Sequence, residues 1–154
     1  MLDTPEIAQT EVQPAAVIRL TVPRAAIREV MGPGLGEIRA ALAAQGIAAA
    51  GPWFTHHFRM DPAVFDFEIG VPVATPVVAA GRVQPGQLPT SRVARTTYHG
   101  GYEGLPAAWA EFDEWIRAKR HKPATDLWEC YITGPESGFD PAGWRTQLNR
   151  PLVG

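Results

Sequence analysis

Cysteine is nearly absent: Cys130 is the only one in 154 residues. That excludes an intrachain disulfide and any metal site built on several thiolates. Long apolar runs are missing as well. No stretch of 18 apolar residues occurs, so no membrane-spanning helix is expected. The N-terminal MLDTPEIAQTEV has no basic segment leading into an apolar one, so no secretory signal is expected and a cytoplasmic protein is the default. Charge of one sign is scarce, with 14 basic against 16 acidic residues and a net charge of −2. The densest basic patch, KRHKP at 119–123, falls where a helix should end, and cations there complement the helix dipole. Direct nucleic-acid binding normally needs a broader basic face. HExxH and CxxC patterns are lacking, and His56 and His57, as strand neighbours, would face opposite ways. No metal and no cofactor are expected.

What is present suffices for a folded domain. Hydrophobic residues make up 45% and charged residues 19%, while 15 glycines and 15 prolines imply many turns and short elements. Two strand-like pieces open the chain, EIAQTEV and the more β-branched AAVIRLTV, which ends before Pro23. VPRAAIREVMGPG has room for a short helical turn. LGEIRAALAAQGI predicts a helix with Leu35, Ile38 and Leu42 on one stripe and Gly46 as its stop. Strands follow at 51–60 and 65–73, with a turn near 61–64 between them. On the second, Phe65, Phe67 and Ile69 share one face, and Asp66 and Glu68 face solvent. A strand near 76–83 and then a turn are expected.

A second cycle starts at 91–98. A glycine-rich bend at 99–104 opens a helix with the stripe Leu105, Trp109, Phe112 and Ile116, and Pro106 suits its first turn. A strand at 127–132, a turn-rich GPESGFDPAG and a closing strand in WRTQLNRPLV complete the pattern. The chain also aligns weakly with itself. FDFEIGVPV lies over WRTQLNRPL, GPWFTHHF over TDLWECYI, and RAALAAQGI over DEWIRAKRH. A single domain over 1–154 with two internal repeats, about 6–75 and 76–152, is expected.

The residue that stands out is Glu129 in LWECYITGP. Period two puts Leu127, Glu129 and Tyr131 on one face, and Trp128, Cys130 and Ile132 on the other, with Trp128 under a helix. Two readings are open: a solvent-facing acid on a half-buried strand, or the floor of a pocket that attracts a cation or holds a proton. Shielding by aromatic side chains would strengthen the pull on a cation and raise the carboxyl pKa. Tyr131 shares the face and offers an O–H. In YHGGYEG, Tyr98, His99 and Tyr102 stand at a strand end, and the glycine spacing is not that of a phosphate loop. Trp109 is a core residue large enough also to reach a site. Phe54 and His56 face together on their strand. Cys130 reads as a small buried hydrophobe with no general base beside it in sequence.

The repeated strand–helix–strand–strand order, the YHGGYEGLPAAW stretch at 98–109 and the Glu129 strand together resemble the GyrI-like small-molecule-binding family. That family includes the effector-binding domains of multidrug-responsive transcription regulators. The resemblance runs from about residue 6 to 152. It implies an α+β, pseudo-twofold domain with an antiparallel sheet, helices on one face and a ligand cleft between the halves. It also implies that Glu129 matches a cleft glutamate that attracts cationic aromatic drugs, with Tyr98 or Tyr102 and Trp109 as walls. Some stand-alone relatives are similar to hydrolases that open the cyclopropane of DNA-alkylating cyclopropyl-indole compounds with a glutamate and a tyrosine. Glu129 with Tyr131 or Tyr98 would take those roles here. With no helix-turn-helix in the chain, a stand-alone member is expected. Its partner would be a hydrophobic aromatic small molecule, with indirect transcription regulation or self-association as further possibilities.

Overall fold

A computed structural model describes residues 1–60, 63–134 and 140–153. The turns expected around 61–64 and 134–143 lie partly outside the described residues. The strands are β1 (Glu6–Thr10), β2 (Gln13–Pro23), β3 (Phe54–Met60), β4 (Val64–Pro72), β5 (Gln84–Leu88), β6 (Ser91–His99), β7 (Lys122–Pro123), β8 (Leu127–Thr133) and β9 (Arg145–Val153). The helices are α1 (Ile27–Gln45) and α2 (Leu105–Ala118), each preceded by a three-residue 3-10 turn. The class is α+β, and every strand pair described is antiparallel. No helix among the described residues is long and apolar enough to cross a membrane.

The chain forms two compact units, a central one over Glu11–Thr90 and a terminal one built from Met1–Thr10 and Ser91–Gly154. In the central unit β2 pairs with β4 and β5, and β3 pairs with β4. Alternation along β2 and β4 turns Ile18, Phe67, Ile69 and Val71 to one face, where they bury against Ile38 and Leu42 of α1. Each such side chain contributes about 1.5–3 kcal/mol by leaving water. Gly46 ends α1 in the left-handed conformation (φ 67°), as its position predicts.

Two expectations for this unit need correction. Helix α1 begins at Ile27, well before Leu35, and carries Pro33 inside it. The buried stripe outweighs the hydrogen bond that proline removes. Gly34 helps the helix approach the sheet, since a Cβ there would fall 2.6 Å from Ile69 Cδ1. The strand expected near 76–83 does not form; Ala80 and Val83 close a turn, and the strand is QPGQL, β5. Pro85 and Gly86 hide it in the sequence, but β5 pairs only with β2 among the described residues, so a residue without an N–H is tolerated.

Phe54 lies opposite Gly70, and a Cβ on Gly70 would fall 2.2 Å from Phe54 Cζ. Gly70→Ala is therefore expected to cost about 1–3 kcal/mol through overpacking, read as a lower midpoint in urea with an unchanged slope.

In the terminal unit β6 pairs with β1 and β9, and β9 pairs with β8 and, at its end, β7. Ala94, Tyr98 and Leu148 of this sheet bury against Ala108, Phe112 and Ile116 of α2. Pro106 occupies the first turn of α2, where its missing N–H leaves no bond unmade.

Candidate functional site

Strand register decides which side chains Glu129 meets. Glu129 of β8 pairs with Leu148 of β9, which pairs with Thr96 of β6. Tyr131 pairs with Thr146, which pairs with Tyr98. Directly paired residues share a face, and Leu148 and Tyr98 belong to the core under α2. Glu129 and Tyr131 thus stand on the helix-covered face. Trp128 is fully buried on the opposite face, not under α2 as its alternation had suggested.

Glu129 is only 9% exposed. Trp109 of α2 donates its indole N–H to Oε2 at 2.6 Å, and Tyr131 donates its O–H to Oε1 at 2.7 Å. Burial pushes the Glu129 pKa above the ordinary carboxylate range, and the two hydrogen bonds only partly offset this. No cationic side chain is among the groups that set its protonation. The acid is thus buried, satisfied by neutral donors, and without a cationic partner among the described residues.

Aromatic rings continue from this pair. The Tyr102 ring meets that of Tyr131 edge-on at 5.7 Å, and the Trp144 ring lies 5.1 Å from that of Tyr102. Trp109 rests on Phe112 at 5.8 Å. Tyr102, Trp109 and Trp144 are each half-buried. Trp144 was not singled out from the sequence, although the self-alignment sets it over Phe65, a ring in the first half.

Tyr98 is buried at the entrance to α2. Its O–H donates to the Gly101 carbonyl at 3.0 Å. Gly100 (φ 148°) and Gly104 close over it, and a Cβ on Gly100 would fall 2.6 Å from the phenol oxygen. The paired glycines thus serve a buried tyrosine at the helix entrance. His99 bonds Asp3 at 2.8 Å.

Phe54 and His56 lie on β3 in the central unit, on the face away from α1. Phe54 is consumed by packing on Gly70, and the His56 ring sits 4.4 Å from that of Phe58. His57 faces the α1 core, stacked on Phe67 at 5.1 Å, with Nε2 3.2 Å from Thr55 Oγ1. Burial, with His56 and Arg24 nearby, pulls its pKa down to about 4. Asp66 takes Arg19 and Arg59 as ion-pair partners. Glu68, expected in solvent, is half-buried opposite His56, and burial raises its pKa.

Cys130 is half-buried, and burial pushes its thiol up to about 12, with Arg95 opposing and Glu129 reinforcing the shift. A thiol so far from ionisation is a poor nucleophile. Iodoacetamide at about pH 8 should modify Cys130 in the native protein at least about tenfold more slowly than in urea, by mass spectrometry.

Comparison with known proteins agrees with this architecture. The family model for the GyrI-like small molecule binding domain matches residues 3–148, and the chain belongs to that family. Among solved structures, the C-terminal domain of EcmrR superposes with a TM-score of 0.85 at 18% identity, covering 97% of each chain. The chain spans 57% of the EcmrR chain in its DNA complex. A hydrolase from Listeria innocua gives a TM-score of 0.70 at 10% identity, covering 97% of this chain and 91% of the other. SAV2435 bound to tetraphenylphosphonium gives 0.67 at 13% identity, covering 99% and 95%. At these identities the likeness is one of fold. No curated protein matches the chain.

Proposed function

We propose that the chain binds amphipathic aromatic cations at Glu129, with Tyr131, Trp109, Tyr102 and Trp144 supplying the surrounding aromatic surface. The observation that carries the reading is a buried carboxylate held by two neutral donors, with no cationic side chain among the described residues that bear on its protonation. Burying an unpaired charge is costly, and a ligand cation removes that cost while the rings supply apolar and cation–π contact. The family membership supports small-molecule binding, and the tetraphenylphosphonium complex of SAV2435 supports the cationic class. The test is a titration of tetraphenylphosphonium into wild type and Glu129→Gln. Binding that the substitution leaves unchanged would overturn the reading.

The two internal repeats, about 6–75 and 76–152, are part of this proposal. Their support is register. The alignment that sets Thr55 over Glu129 and Ile69 over Leu148 joins residues paired in their own units. It also brings together the two irregularities, between His57 and Arg59 and between Tyr131 and Thr133. The leading strand of each repeat, β1 or β5, pairs with a strand of the other repeat, β6 or β2. Glu129 and Tyr131 then correspond to Thr55 and His57, so the acid occurs in one repeat only. Indirect transcription regulation or self-association is the context this reading favours, without direct nucleic-acid contact.

A second reading is favoured by one observation: the Tyr131 phenol donates to a carboxyl whose pKa is raised. That couple suits acid–base work on a cyclopropane conjugated to a carbonyl: Glu129 accepts a proton from water as its oxygen bonds the ring carbon, the strained C–C bond breaks, and Tyr131 stabilises the carbonyl oxygen that receives the electron pair. Tyr98 is less suited, since its O–H is held by Gly101. A cyclopropyl-indole alkylator separates the readings. Ring opening by wild type that Glu129→Gln abolishes supports the hydrolase, and saturable binding without product supports the binding module.

A further inference from the structure

Thr146 is 0% exposed, and its Oγ1 has no hydrogen-bond partner among the described residues. It pairs with Tyr131 on one side and Tyr98 on the other, so it stands on the face of Glu129. Both neighbouring phenols direct their O–H groups elsewhere, to Glu129 and to Gly101. A buried hydroxyl without a partner is worse for stability than a methyl of the same shape, and valine would supply that methyl. The hydroxyl also lies on the diagonal from Glu129, which pairs with Leu148, two residues along β9. Diagonal neighbours are about 7–8 Å apart at the backbone, near enough for the N–H groups of one ligand cation, each about 3 Å from its acceptor, to meet both. Glu129 has acceptor positions to spare, since a carboxylate offers about four and two are occupied.

We infer that Thr146 is a specificity-determining residue of the Glu129 site: its Oγ1 accepts a hydrogen bond from a ligand N–H, so the site favours protonated aromatic amines over cations that lack an N–H. The inference rests on the cation-binding reading of Glu129 and adds the chemical class within it. In the complex, one N–H meets the open side of the Glu129 carboxylate and another meets Thr146.

The experiment compares two probes, 9-aminoacridine as its N–H-bearing cation and tetraphenylphosphonium, against wild type, Thr146→Val, Thr146→Ser and Glu129→Gln. Thr146→Val should weaken 9-aminoacridine about tenfold and change tetraphenylphosphonium by less than about twofold. Thr146→Ser, which keeps the hydroxyl, should behave as wild type with both. Ligand-free Thr146→Val should melt above wild type, which shows that the loss of affinity is not a loss of fold. The inference is overturned if Thr146→Val affects both probes equally or neither, or if Thr146→Ser loses 9-aminoacridine as the valine does. If Glu129→Gln weakens both probes while Thr146→Val weakens neither, this inference alone fails. If Glu129→Gln weakens neither, the underlying reading fails with it.

Discussion

Glu129→Gln is expected to weaken tetraphenylphosphonium binding by about 30-fold or more. Removing one member of a desolvated charge pair costs roughly 2–5 kcal/mol, because the other charge is left buried and unanswered. The substitution is mild in shape. A glutamine oxygen can still accept from Trp109 Nε1, and its amide can donate to the Tyr131 oxygen. A neutral ligand of similar bulk, triphenylphosphine oxide, should bind wild type and variant within about threefold, since apolar contact is unchanged. The free variant should not be less stable at neutral pH. A carboxyl whose folded pKa is raised favours folding below its unfolded pKa, and that contribution is lost as pH rises through the folded value. Glutamine has no such loss. Glu129→Gln should therefore match wild type in acid and exceed it above the carboxylate range, by thermal melts across pH.

Acid should destabilise the fold through a different residue. His57 is neutral in the core, with a pKa lowered to about 4 mainly by burial. In the unfolded chain it takes up a proton near the usual value of about 6.5. The unfolded state then binds more protons between those values, so stability is full above about pH 6.5 and falls as pH drops toward 4. The loss amounts to roughly 3 kcal/mol for this one group. His57→Phe keeps a ring against Phe67 and removes the titration. Urea unfolding at about pH 7 and about pH 4.5 should show wild type losing much more than the variant. Equal losses would mean that His57 is not the acid-sensitive group. Glu129 and His57 thus act on the pH dependence of stability in opposite directions.

The Glu129 strand was legible because alternation is a local property. Period two alone puts Tyr131 on the face of Glu129, and the 2.7 Å bond between them follows from that spacing. Whether that face met water or a helix was not local. It depends on β9 bringing Leu148 beside Glu129 and on α2 bringing Trp109 over it, contacts that cross twenty residues of chain. For the same reason Trp128 was set under a helix that covers the other face. Tyr98 drew attention as a polar aromatic beside glycines, but only the fold shows that those glycines close over its hydroxyl. Trp144 was missed because it sits at the edge of a turn-rich segment; its match to Phe65 in the self-alignment was the available signal. In β5, Pro85 and Gly86 masked a strand whose pairing is decided by β2.

On the proposed reading, Glu129 recognises charge as an ionised, buried carboxylate. If so, a cation must bind the deprotonated form of a group whose pKa burial has raised, and binding must release a proton where the free protein is still partly protonated. Calorimetric titration of tetraphenylphosphonium, in buffers of different ionisation heat from about pH 5 to about pH 8, measures that proton directly. Proton release at the acid end, affinity that climbs with pH to a plateau, and loss of both in Glu129→Gln are the predicted results. Binding with no proton release and the same affinity at every pH would contradict the account.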